Sequence, residues 1–230
     1  YFLKIETMSW VSCFGILMLK LISFNIEYSH AYENDKTSNY ILGVDGIKGH
    51  CPSCSEGNFC VSALKFVNVD ITDFNFINFL LYALYPPFYL AGPTIMYHSF
   101  IFQLKNFKEN NHNSFLVKNK LFYVFRVFFV LAVFEVFNHF IYSDAFFKFS
   151  NYNKDKIDEI FDPNKISYFN FFFLTLNDLV FTWLKFAVIW KSARLWGWMD
   201  GILAEENMNR CVYNNYCFEG FWRAWHRSYN

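Results

Sequence analysis

Charge, proline and glycine are all in short supply in this sequence, and each shortage narrows what the chain can be. Only 17% of the 230 residues are charged, against about a quarter in an ordinary soluble domain. The 20 basic and 20 acidic residues cancel, so the electrostatic footprint of a nucleic-acid-binding protein is missing. No alternating ten-residue pattern recurs, which excludes a membrane β-barrel. What remains is apolar and aromatic: 54% of residues are hydrophobic and 32 are Phe, more than a globular core of this size packs comfortably. Asn, Lys, Tyr, Ile and Phe share codons rich in A and T, so genomic bias accounts for part of the excess. No single aromatic is therefore read as a ligand contact on frequency alone.

The apolar residues fall in blocks. A helix crosses the hydrocarbon core with about 20 predominantly apolar residues, and four stretches meet or approach that length. Residues 8–24 form a short one interrupted by Lys20. Residues 76–104 form a long one containing Pro86, Pro87, Gly92 and Pro93; proline removes a backbone donor and clashes with the preceding turn, so a break is expected over 85–93. Residues 121–147 and 166–190 complete the set. The expected fold is all-α, a polytopic transmembrane helical bundle with broken or re-entrant helices. Residues 1–230 are read as one partial transmembrane domain, with a polar cysteine-containing loop insertion at 29–73 and an interfacial tail at 203–230. The opening at Tyr1, without Met, leads us to expect a piece of a longer protein. The basic loop 105–120 and the tail are expected to share the cytoplasmic side.

Polar residues inside such blocks are costly and face a partner or a watery cavity. Glu135 and His139 lie one turn apart on one helix face. They are read either as a proton-handling pair inside the bundle or, preferably, as a paired couple joining helices. Arg126, on the opposite face, is expected to snorkel to the interface. Asp178 is a further buried polar candidate, lining a polar path or capping a helix break. His50, Cys51, Cys54 and Cys60 resemble half of a zinc site, but a disulfide or unpaired thiols suit the spacing better than a metal.

The tail concentrates Trp222, Arg223, Trp225, His226 and Arg227 in six residues. On physical grounds alone it reads as an amphipathic interfacial helix with an aromatic belt and basic anchors. Yet the run ENMNRCVYNNYCFEGFWRAWHRSYN, which also holds Asn214, Asn215 and Asn230, resembles the signature of the membrane-bound O-acyltransferases, in the branch of the glycerol uptake proteins and hedgehog acyltransferase. LKLISFNIEY (19–28), LYALYPPFYLAGPTIMYHSF (81–100), FEVFNHFIY (134–142) and WKSARLWGWMDGI (190–202) match the same branch in the same order.

The resemblance implies a partial fold of that family. It also implies transfer of a long-chain acyl group from acyl-coenzyme A to a lipid or GPI-anchor-like hydroxyl in the endoplasmic reticulum. Acyl-coenzyme A is then a cosubstrate, no cofactor is implied, and the partners are the lipid acceptor and membrane lipids. His226 occupies the first of the family's two polar positions and is the implied catalytic residue. Trp222, Arg223, Trp225, Arg227, Asn230, Asn214 and Asn215 are motif or tunnel candidates. The second position, the histidine taken as general base, belongs to a later apolar helix, so the 230 residues are expected to be inactive alone. His30, His50, His98 and His112 are placed in or near loops and do not replace it. Glycerol or polyol transport, and non-catalytic regulation by a relative with incomplete motifs, are the alternatives.

Overall fold

Long apolar runs without proline become long helices, and the two proline clusters divide the rest. The computed structural model describes residues 10–37, 54, 60–67, 69–90, 92–106, 114–142, 146, 149 and 167–229. Among these, α1 spans Trp10–Thr37, α2 Phe76–Leu84, α3 Pro86–Leu90, α4 Tyr97–Lys105, α5 Ser114–Phe140, α6 Tyr168–Met199 and α7 Phe218–Ala224. Short 3₁₀ turns at Ala63–Lys65 and Ile71–Asp73 precede α2. The described residues hold no strand, only an isolated bridge between Met208 and Trp225.

The expected break in 76–104 is present and has a local cause. Asn75 caps α2, its side chain accepting the Asn78 N–H at 2.9 Å. Pro86 forces Tyr85 out of the helical region, to φ −58° and ψ 111°. Proline suits the first position of a new helix, where its missing N–H would lack a partner anyway, and α3 begins there. After Pro93 the chain enters α4. Lys20 explains how a cation fits an apolar helix: its buried ammonium donates to the carbonyls of Tyr82 and Ala83 at 2.9 and 3.0 Å. Those carbonyls belong to the last turn of α2, which has no intrahelical donors of its own.

Among the described residues two helices, Asn119–Phe140 within α5 and Tyr168–Met199, are long and apolar enough to cross a membrane. Only 11% and 17% of their apolar windows are buried, which is the reverse of a soluble core helix. The two pack on each other, with Phe134 stacked on Phe181. Helix α6 ends in a Schellman motif. Gly201 takes φ 80°, the Gly201 N–H reaches the Trp198 carbonyl, and the Ile202 N–H reaches that of Gly197 at 2.8 Å. Gly197 is also the seat of the Phe88 ring, which occupies the space a Cβ would need and brings α3 against α6.

The main core gathers Leu64, Tyr82, Phe88, Tyr97, Ile101 and Ile202. Tyrosine hydroxyls tie its elements together: Tyr82 donates to the Ile95 carbonyl, Tyr97 to the Asp73 carbonyl and Tyr85 to the Asp200 carboxylate. The expected loop insertion at 29–73 is corrected at both ends. Helix α1 continues through Thr37, and Cys54, Leu64, Val67 and Val69 are buried in the core, because their apolar side chains fill the space beside α4.

Candidate functional site

The turn at Gly201 sends the chain back along the face of α6 that carries Trp183, Trp190, Lys191 and Arg194. Arg194 Nε donates to the Ala204 carbonyl at 2.8 Å, and Trp183 Nε1 to that of Arg210 at 3.1 Å. Between them Met208 is buried against Ala187 and Trp190. This returning segment receives the tail. Asn207, 2% exposed, accepts the Ser228 N–H on its side chain at 3.0 Å and the Arg227 N–H on its carbonyl at 3.3 Å. Ser228 is also anchored to the α3–α4 connection: its hydroxyl accepts the Thr94 N–H, and its carbonyl the Thr94 hydroxyl, at 2.9 and 2.7 Å.

The consequence is a constrained histidine. Helix α7, capped by Cys217 Sγ on the Gly220 N–H, ends at Ala224. Trp225 is extended and pairs with Met208. His226 then adopts φ 51°, the left-handed region that costs free energy for any residue with a Cβ and that clusters at functional sites. Anchors on either side hold it there. Its ring lies 4.3 Å from that of Trp190, centroid to centroid, and Trp190 and Phe186 wall in Trp225. Burial pushes the His226 imidazole below its ordinary pKa, so at neutral pH it is the neutral ring that faces this aromatic wall.

One residue before Asn207, the Glu206 carboxylate gathers three cations. It is ion-paired with buried Lys191, and Arg126 and Arg194 stand 3.5 and 3.9 Å away. Arg194 also lies over the Tyr123 ring at 4.7 Å. Arg126 therefore turns to Glu206 instead of snorkelling away, because an arginine stem on α5 spans the narrow gap to the segment following α6. Three cations facing one carboxylate leave positive charge beside the motif.

Other expected residues fall elsewhere. Trp222, Arg223 and Arg227 are exposed, and Arg223 pairs with Glu219 at 2.7 Å across one turn. Asn214 is exposed in a 3₁₀ turn, while Asn215 donates to the Cys211 carbonyl. The tail is thus a short helix, an extended residue and a left-handed turn, in place of one interfacial helix. Glu135 and His139 were expected among buried groups. They lie on an outward face of α5, 63% and 72% exposed and 3.8 Å apart, with His139 Nδ1 donating to the Glu135 carbonyl. Asp178 is half-buried on α6. Asn230, His50 and Cys51 lie outside the described residues. Cys54 is buried in the core, and Cys60 Sγ accepts the Ala63 N–H at 3.3 Å.

Sequence reasoning passed over Lys191, Arg194, Glu206 and Asn207. The signal for the first three was present: two cations three apart on an apolar helix, followed after one glycine turn by Glu205 and Glu206.

The sequence profile of the MBOAT, or membrane-bound O-acyltransferase, family matches residues 1–230. This chain belongs to the membrane-bound O-acyltransferase family. It is 40% identical over 233 residues to membrane-bound O-acyltransferase GUP2 of Saccharomyces cerevisiae, covering 96% of this chain and 36% of that relative. It is 33% identical to gup1 of Schizosaccharomyces pombe and 30% to GUP1 of Candida tropicalis, covering 96% of this chain and 34% of each. The chain thus spans about a third of the length of these relatives. No solved structure matches it.

Proposed function

We propose that the chain forms part of a multi-pass enzyme of the endoplasmic reticulum membrane. The enzyme moves a long-chain acyl group from acyl-coenzyme A to the hydroxyl of a lipid or GPI-anchor-like acceptor. In that reaction the acceptor O–H loses its proton to a base, its oxygen attacks the thioester carbonyl, and the C–S bond breaks as the thiolate of coenzyme A takes up a proton. The family resemblance assigns the base to a histidine of a later helix. Here His226 serves as a hydrogen-bonding group that positions the reacting atoms. The observation that carries the reading is His226 itself: a neutral imidazole fixed at a strained φ by Asn207, Ser228 and Trp190. Such fixed geometry is what positioning requires. The excess positive charge around Glu206 suits the phosphates of coenzyme A.

The test is transfer of a labelled acyl group by the purified full-length protein. His226→Ala is expected to lower the rate about 100-fold, within the range for a lost proton-handling or polar catalytic group. Undiminished transfer by that variant would remove His226 from the mechanism. Uptake of labelled glycerol into protein-containing vesicles without acyl-coenzyme A would instead support transport.

A further inference from the structure

The backbone around His226 is gripped from two directions. Asn207 and Met208, on the segment that returns along α6, hold Arg227, Ser228 and Trp225. The second grip comes from the α3–α4 connection, 134 positions before Ser228. There the Thr94 N–H donates to Ser228 Oγ at 2.9 Å, and the Thr94 hydroxyl donates to the Ser228 carbonyl at 2.7 Å. The Ser228 N–H is already on the Asn207 side chain, so all three polar groups of Ser228 are engaged. Two residues earlier the chain is left-handed at His226.

Thr94 is a fixed point because the connection that carries it is held along its length. Gly92 packs so closely on α3 that a Cβ there would lie 2.4 Å from the Pro87 carbonyl oxygen and 2.6 Å from the Phe88 ring. Pro93 is fully buried and locks its own φ. The Ile95 carbonyl accepts the Tyr82 hydroxyl at 2.8 Å. At the start of α4 the N–H groups of Tyr97 and His98 donate to the Glu27 carboxylate at 3.2 and 2.6 Å. Thr94 thus sits on a short run tied to α1, α2 and α3. Its β-branched side chain is stiff at χ1, so aiming the hydroxyl costs little further ordering.

We propose that Thr94 is a positioning residue for His226, acting through Ser228 to fix the imidazole relative to α1–α4. A left-handed backbone at a residue with a Cβ persists only where its surroundings over-determine it. Asn207 ties the motif to the α6 side, and Thr94 adds the second direction. A misplacement of about 1 Å at a reacting group costs about 100-fold in rate, so loosening one of these two ties bears on turnover without touching the ring. For turnover the assignment rests on the acyl-transfer reading; for the geometry of His226 it does not.

The test is NMR of the full-length protein in phosphatidylcholine nanodiscs, with carbon-13 at histidine Cε1. The His226 signal is assigned by its absence from His226→Gln. Thr94→Val keeps the shape and removes the hydroxyl donor, and it should shift the His226 signal or split it in two. Thr94→Ser keeps the donor and should leave the signal at its wild-type position. Ser228→Ala removes the acceptor of the Thr94 N–H and should disturb the same signal, which decides the matter if Thr94→Val does not fold. In acyl transfer, Thr94→Val should lower kcat about 10-fold with KM for acyl-coenzyme A within about twofold, and Thr94→Ser should restore the rate. A signal unmoved by folded Thr94→Val or Ser228→Ala, or moved equally by Thr94→Val and Thr94→Ser, would overturn the proposal. So would wild-type turnover by Thr94→Val. If the wild type transfers no acyl group, the acyl-transfer reading falls, and the histidine signal alone decides whether Thr94 sets the place of His226.

Discussion

His226 is the residue whose environment departs furthest from what its neighbours in sequence announce. The run from Phe218 to Trp225 reads as one amphipathic helix, yet the chain leaves the helix at Ala224 and turns left-handed at His226. The cause is long-range: Asn207 and Met208, from another part of the chain, offer bonds that a continuing helix would forgo. Burial then sets the protonation state. Because the folded pKa of His226 lies below its unfolded value, the unfolded chain binds the proton more readily, and stability falls as pH drops below the ordinary histidine range near 6.5. Above that range the contribution is fully present. The thermal stability of the wild type should therefore fall between about pH 7 and pH 5, and His226→Gln should lose part of that slope. An identical pH slope in the two proteins would show that His226 titrates as it does in the unfolded chain.

At the scale of elements, sequence and structure agree where local chemistry decides and part where distant contacts do. The break at 85–93 was legible because Pro86, Pro87 and Pro93 act on their own neighbours. Helices α5 and α6 were legible from apolar length. The end of α1 and the burial of Leu64, Val67 and Val69 were not, since polar residues there are interspersed with the few apolar ones that reach the core. Nor was the pairing of Glu27 with His98 visible: only the fold carries Glu27 to the first turn of α4, across 71 positions of chain. Lys20 illustrates the same point in a testable form. In sequence it interrupts an apolar run; in the fold it supplies the C-terminal cap of α2, with charge of the sign a helix C-terminus favours. Lys20→Met keeps the stem and removes the donors, leaving two carbonyls unsatisfied at about 1–3 kcal/mol each. Amide hydrogen exchange over 76–90 should accelerate by about 10-fold or more, while exchange in α6 stays unchanged. Unchanged protection over 76–90 would show that α2 does not depend on this cap.

For the whole molecule, Glu206 is the point where the long helices and the tail are held together. Arg126 comes from α5, Lys191 and Arg194 from α6, and Glu206 from the segment that also carries Asn207. Removing the one carboxylate leaves a buried ammonium beside two guanidinium groups, whereas removing carboxylate and ammonium together leaves only the half-exposed Arg126 and the ring-stacked Arg194. Breaking a buried pair from one side costs about 3–5 kcal/mol, while replacing both partners is often close to neutral. Glu206→Gln should accordingly lower stability by about 3 kcal/mol or more, read from unfolding of the reconstituted protein followed by tryptophan fluorescence. Adding Lys191→Met should restore at least half of that loss, because the destabilisation comes from uncompensated charge more than from the missing contact. A double variant no more stable than Glu206→Gln alone would mean that the carboxylate acts through Arg126 and Arg194, and that the join between α5 and α6 rests on the arginines.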